Sequence, residues 1–176
     1  MIKRIFTPIK KEDIKDLKAG EEVLINGTIF TARDAAHKKF SELFKKTGKL
    51  PIDLRGAVIY YAGPTPPRRG GAIGSCGPTT SSRMDSFTPL LLKKGLAGMI
   101  GKGGRSEYVR NAIKKHGAVY FIAIGGIGAL LSKKVNSSKA VLFKDLGTEA
   151  VYKLEVKDFP VIVGIDPKGR DVYAKK

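Results

Sequence analysis

Cysteine is almost missing from this sequence: its 176 residues contain one, Cys76. A single thiol excludes an internal disulfide framework and any multi-cysteine metal site built from this chain alone. Long apolar runs are missing too. The longest, AVYFIAIGGIGALL from Ala118 to Leu131, is too short and too glycine-rich to span a bilayer, and reads as a buried strand and turn. The opening MIKRIFTPIKKEDIKD lacks the apolar stretch of a secretory leader, so the expected location is cytoplasmic. There is no zinc-finger spacing, no basic tail and no aromatic-rich strand of the RNA-recognition type. GGIG at 125–128 does not make the dinucleotide fingerprint, because its spacing is wrong and no acidic residue is suitably placed downstream.

Acidic residues are scarce. Sixteen Asp and Glu stand against 33 Lys and Arg, a formal net charge of +17. Such a surplus attracts polyanions, anionic small molecules or an acidic partner protein. Its distribution argues against nucleic acid. Pairs such as Lys45–Lys46, Lys93–Lys94 and Lys114–Lys115 fall near predicted helix C-termini, where cations complement the helix dipole. A stand-alone basic anion- or nucleic-acid-binding module remains the alternative reading, with the charge as its only support.

What is present suits a globular α/β protein. Hydrophobic residues make up 42% of the chain, and 21 glycines punctuate it. The length and the lack of a long linker predict one domain over residues 1–176. A strand or hairpin arm is expected over Glu22–Phe30, with a turn at Asn26–Gly27. Thr31 then caps a helix over Arg33–Lys46 with an apolar face of Ala36, Phe40, Leu43 and Phe44, stopped by Gly48. AVIYY at 57–61 reads as a strand covered on both faces. Thr88–Pro89 opens a short helix ending at Gly95. Leu96–Ile100 and Ala118–Ile122 are further strands, separated by a helix over Ser106–Lys115. From Val135 to Tyr173 short alternating pieces (AVLF, AVYKLEV, FPVIVGID, DVYA) predict a β-rich layer. The architecture expected is a β/β/α domain: a central βαβαβ portion with additional strands at both ends.

Three loops carry unusual polar residues where predicted strands end, the place where α/β sheets bind ligands. They are TARDAAH, GSCGPTTSSRMD and GKGG, and they can present Arg33, Thr79, Thr80, Ser81, Ser82, Arg83 and Lys102 around one cleft. Two guanidiniums and an ammonium suit a substrate with two carboxylates. Each feature also has a plainer reading. Ser82-x-x-Asp85 fits a capping box, Arg33–Asp34 fits a helix start, and Lys102 between glycines fits a solvated side chain. Cys76 has no local histidine to activate it and reads as a small buried residue. His37 and His116 fall on helix patterns and read as surface groups or as groups behind the site.

Taken in order and spacing, TARDAAH, YYAGPTPP, GSCGPTTSSRMD, LAGMIGKGGRSE and AIGGIGALL resemble the β subunit, or C-terminal domain, of iron–sulfur-dependent hydro-lyases. These are the class I fumarases and L(+)-tartrate dehydratases, and the resemblance runs from about Glu21 to Pro167. It implies the swivelling β/β/α fold. It implies that Arg33, Arg83, Lys102 and Thr80 hold a small dicarboxylate, that Thr79 transfers the proton at the substrate carbon, and that Asp34, His37 and Asp85 support them from behind. It implies no metal ligand in this chain. The [4Fe–4S] cluster, whose open iron polarises the substrate, belongs to a cysteine-bearing α subunit in a hetero-oligomer. One cysteine agrees, since a cluster generally takes three or four thiolates. Neither nucleic acid nor membrane is an expected partner.

Overall fold

Parallel strands cannot be joined by a tight turn, so their connections must cross over a face of the sheet. The computed structural model describes residues 1–124 and 127–174. In chain order its elements are β1 (Lys3–Phe6), α1 (Lys11–Ile14), β2 (Glu22–Thr31), α2 (Asp34–Thr47), β3 (Val58–Tyr60), α3 (Thr88–Lys93), β4 (Gly98–Gly101) and α4 (Glu107–His116). Then follow β5 (Val119–Ile122), α5 (Gly128–Ser132), β6 (Val135–Leu142) and β7 (Val151–Ile165). Short 3-10 turns cover Ser81–Met84 and Lys144–Glu149.

The seven strands form one mixed sheet in the order β1-β2-β3-β4-β5-β7-β6. Neighbours from β1 to β5 are parallel, and β7 runs antiparallel to β2, β5 and β6. Since β7 bonds both β5 and β2, the sheet partly closes on itself. Strand alternation then divides the apolar residues into two cores. From β3, Val58 and Tyr60 join Ile25, Phe121 and Phe159 on the closed side. Ile59 and Tyr61 face the other way and pack with Phe40, Leu91, Val109 and Ile113 beneath α2, α3 and α4. Burial on both faces explains why AVIYY is continuously apolar.

Several expectations are corrected. Asn26–Gly27 is not a hairpin turn, because β2 runs straight through it. Instead Asn26 pairs with a bulge in β7, its Oδ1 accepting the Asp158 N–H at 3.0 Å. Gly27 has φ +102°, and a Cβ there would lie 2.6 Å from Thr7 Oγ1, so glycine serves a close approach of backbone. Thr31 ends β2 rather than capping α2; its hydroxyl accepts the Tyr152 N–H at 3.2 Å. Arg33 holds the N-cap position, without a side-chain cap bond. The α2 face buries His37 with Ala36 and Phe40, while Leu43 and Phe44 are only partly covered. Gly48 ends α2 in the left-handed region, as expected.

AVYKLEV and FPVIVGID are not separate strands. They are one fifteen-residue strand, β7. Pro160 interrupts neither half, because it lies between the stretches that pair with β6 and β5, and a strand tolerates a missing N–H where one side is unpaired. DVYA contributes only an isolated bridge, Ile165 with Asp171. Of the GGIG turn, the first two glycines lie outside the described residues; Gly128 begins α5. β1 and α1 were not anticipated individually.

Candidate functional site

Parallel strands β2, β3 and β4 end at the same edge of the sheet, and each leads into one of the three polar loops. Their union is held by backbone first. The Thr79 N–H donates to the Tyr61 carbonyl at 2.6 Å and the Ser81 N–H to the Lys102 carbonyl at 3.0 Å. Thr80 forms a parallel bridge with Lys102. Residues 79–81 thus lie between the end of β3 and the GKGG loop. Gly101 makes this possible: a Cβ there would collide with Ser81 Oγ and come within 2.8 Å of the Tyr61 ring.

Side chains tie in the remaining loop. Arg83 donates through Nε to Asp34 Oδ1 at 3.0 Å, and its Nη2 lies 2.9 Å from Oδ2. The second contact is an ion pair too oblique to satisfy Oδ2 as a hydrogen bond. Arg83 remains half exposed, at 52% of its side chain, so the pair is weak as a stabilising contact. Its effect is orientation. Asp34 holds one edge of the guanidinium, and the Nη1 donors make no hydrogen bond among the described residues.

Arg33 is less well matched. Its Nε is 4.0 Å from Glu149 Oε1 and, though buried, has no hydrogen-bond partner among the described residues. Its guanidinium passes Gly63, where a Cβ would be 3.1 Å from Nη1 and 2.9 Å from the Thr148 carbonyl oxygen. Beside it lies a cleft of about 380 Å³ lined by Pro64, Thr65, Thr148 and Tyr152 among others. A buried, unsatisfied guanidinium donor is costly unless an acceptor arrives. Lys102 and Thr80 are exposed at the same rim. Thr79 is partly covered.

The supporting residues divide. Asp34 contacts Arg83 as described. His37 is fully buried, so it is not a surface group. Its Nδ1 lies 2.7 Å from the Arg33 carbonyl, which can only accept, so Nδ1 carries the proton. Nε2 is left without a partner among the described residues, against Tyr61, Phe40 and Phe87. Desolvation pushes its pKa down to about 4, so the ring is neutral near pH 7. Asp85 is not part of a capping box. Its Oδ1 accepts from Arg105 Nε at 2.6 Å and its Oδ2 from the Ser106 N–H at 2.8 Å. It therefore clamps the GPTTSSRMD loop to the loop after β4.

Sequence reasoning missed Arg105 and Glu149. The Arg105 side chain is wholly buried. It also donates to Thr88 Oγ1 at 2.8 Å and Tyr61 Oη at 3.3 Å, and stacks over the Tyr61 and Tyr120 rings. The available signal was its place just past the glycines of GKGGR. Thr88, expected as a cap, spends its hydroxyl on this network and on the Met84 carbonyl; Phe87 precedes α3 instead. Glu149 belongs to the turn before β7, which carried no motif.

An iron–sulfur cluster does not fit the residues of this chain. Cys76 is buried, desolvation pushes its thiol up to about 12, and clusters bind thiolates. Among the described residues no group of three His, Cys, Asp or Glu is placed to hold a metal ion. Nor is any described helix long and apolar enough to cross a membrane.

Residues 2–176 match the family model described as Fumarase C-terminus. The chain belongs to that family. The resemblance read from TARDAAH, GPTTSSRMD and IGKGG is therefore borne out. Within the fumarase C-terminus family, the chain is 42% identical over 172 residues to fumarate hydratase 2 of Leishmania major, covering 96% of itself and 30% of that enzyme. It is 41% identical over 174 residues to a putative L(+)-tartrate dehydratase subunit beta of Methanocaldococcus jannaschii, covering 96% of itself and 89% of that protein. It is 43% identical over 151 residues to the aerobic class I fumarate hydratase of Escherichia coli, with 85% and 28% covered. The chain thus spans less than a third of the two fumarate hydratases and most of the tartrate dehydratase subunit.

Proposed function

We propose that this chain is the β subunit of a heteromeric hydro-lyase that reversibly adds or removes water on a small dicarboxylate, fumarate/malate or tartrate/oxaloacetate. The observation that carries the proposal is the convergence of three strand-end loops on one basic rim. There the buried Arg33 Nε lacks an acceptor and Arg83 is oriented by Asp34. The names of the relatives supply the reaction type, and the name "subunit beta" in one of them supports a second chain. The fold reading that goes with it is a single swivelling β/β/α domain over residues 1–176, supported by the two cores on opposite faces of the sheet.

In this reading Arg33, Arg83 and Lys102 bind the two carboxylates, with the Thr80 hydroxyl beside Lys102. Hydration places a proton on one alkene carbon and a hydroxyl on its neighbour. Thr79 Oγ1 donates that proton, and accepts it back in the dehydration direction. A threonine hydroxyl needs a neighbouring base for this. Thr79 Oγ1 makes no hydrogen bond among the described residues, so we assign the base, like the [4Fe–4S] cluster, to a cysteine-bearing α subunit. Asp34 holds Arg83, His37 holds the backbone at Arg33, and Asp85 fixes the loop that carries Thr79. The basic surplus leaves a nucleic-acid module as the rival, but the ordered loops favour a dicarboxylate.

Thr79→Val keeps shape and removes the hydroxyl. In the complex with the α subunit, kcat should fall by roughly 10²–10⁴ with KM little changed. The N-cap of the 81–84 turn is Thr80, not Thr79, and it makes no side-chain cap bond, so the melting temperature of Thr79→Val should stay within a degree or two of wild type. Near-normal turnover would remove Thr79 from the chemistry.

A further inference from the structure

A second basic site lies at the opposite edge of the sheet. The segments that lead into β3, β4 and β5 enclose a cleft of about 290 Å³. Its basic lining is Lys11 of α1, Arg55 before β3, Lys93 at the end of α3 and His116 at the end of α4; Ile14 and Leu96 contribute an apolar floor. Among the described residues no acidic side chain lines it. Counter-charges lie beside it: Asp53 occupies Nε and Nη2 of Arg55 at 3.0 and 2.7 Å, and Glu12 and Asp13 follow Lys11 on α1. Two glycines let the walls approach. A Cβ at Gly56 would lie 2.8 Å from the Ile9 carbonyl oxygen, and one at Gly95 would lie 3.1 Å from the Arg55 backbone.

Partial burial, and then the charges of Lys115, Lys11 and Lys93, hold the His116 imidazole below its ordinary pKa. Lys11, Arg55 and Lys93 bring three positive charges to one cleft, and an anion placed among them would relieve their repulsion. The donors also differ in kind from those of the dicarboxylate rim. There the donors include two guanidinium forks, which match planar carboxylates. Here a single guanidinium, held by Asp53 through the same two nitrogens as Arg83 is held by Asp34, stands with two ammonium groups on flexible stems and an imidazole. Such donors suit the several directions of a tetrahedral oxyanion. The volume sits at the lower end of small-ligand pockets, about 300–1,000 Å³. It admits a phosphate with a few carbons.

We propose that this cleft binds a compact phosphate dianion, either free phosphate or the phosphate of a small monoester, at a site separate from the dicarboxylate rim. The inference does not depend on the hydro-lyase reading. It also gives part of the positive surplus a ligand that the strand-end loops do not require.

The chain has two histidines, one in the cleft and one buried near the other edge, so imidazole NMR reads the two ends separately. Inorganic phosphate is titrated into the full chain with sodium chloride adjusted to constant ionic strength, because salt alone screens the lysines and raises the His116 pKa. The expected result is a saturating shift of His116 and a raised titration midpoint, with His37 unmoved. Lys11→Gln combined with Lys93→Gln should bind at least ~10-fold more weakly, the scale of lost charged hydrogen bonds. An unmoved His37 signal would show that this variant is folded. Arg33→Gln with Arg83→Gln should leave the phosphate response intact. Glycerol phosphate binding more tightly than inorganic phosphate identifies a monoester site, and equal binding identifies free phosphate. An equal His116 shift with chloride alone would overturn the proposal. So would saturation by malate at the same concentration as phosphate, or undiminished binding in the double lysine variant.

Discussion

Arg83 shows how one side chain can be both paired and available. Asp34 takes Nε and faces Nη2, which fixes the plane of the guanidinium without consuming all of its donors. Arg83→Lys keeps the charge but loses the plane, and in the assembled enzyme it should raise KM by about tenfold or more, the effect of ~1–3 kcal/mol. Asp34→Asn should raise KM in the same direction by freeing the guanidinium to rotate. Steady-state kinetics on both variants check this, and an unchanged KM in Arg83→Lys would remove Arg83 from carboxylate binding. His37 makes a different prediction. Its folded pKa of about 4 lies below the ordinary 6.5, so on acidification the unfolded chain takes up the proton first. The stability it contributes is complete above pH 6.5 and is lost as the pH falls towards 4, by roughly 3 kcal/mol in all. Urea unfolding of wild type and His37→Gln at pH 7 and pH 4.5 isolates it. The variant should show a shallower loss between the two, and parallel losses would contradict a neutral buried imidazole.

At the scale of elements, the end of β4 and the 79–81 segment are packed so closely that glycine is required at 101. Gly101→Ala would drive Ser81 away from Tyr120, whose hydroxyls lie 2.8 Å apart. Overpacking of this kind costs about 1–3 kcal/mol, and the displaced segment carries Thr79, so thermal stability and turnover should fall together. Gly103→Ala is the control. It strains a left-handed residue, φ +80°, but its Cβ meets nothing within 4 Å; a drop in turnover as large as that of Gly101→Ala would refute the packing account. The central strands and helices were legible because AVIYY is continuously apolar where both faces are buried, and the α2 and α4 segments keep a helical period that one-sided burial enforces. The ends of elements were less so. Asn26–Gly27 carries the local chemistry of a turn, yet its partners are Thr7 and Asp158, remote in sequence. The joining of AVYKLEV to FPVIVGI likewise depends on β2, which pairs along both halves of β7. Among candidate site residues, Arg33, Thr79, Thr80, Arg83 and Lys102 could be gathered from their loops. Arg105 was hidden because its function is to be buried: only the fold brings Asp85, Thr88, Tyr61 and Tyr120 around it.

For the whole molecule, the two edges of the sheet carry different work. Strand-end loops form the basic rim proposed to hold a dicarboxylate at one edge, and a cleft of lysines and His116 occupies the other. What the molecule lacks is as informative as what it has. Its lone thiol is buried and protonated, and Thr79 Oγ1 makes no hydrogen bond among the described residues. These features make sense if the chain completes a site rather than owning one. The most direct measurement is anaerobic reconstitution with iron and sulfide, followed by assays on malate, fumarate and tartrate, of this chain alone and of the chain mixed with its α subunit. The account predicts no [4Fe–4S] absorption and no hydration by the isolated chain, with both appearing on mixing. A stoichiometric cluster or substantial turnover in the isolated chain would contradict it.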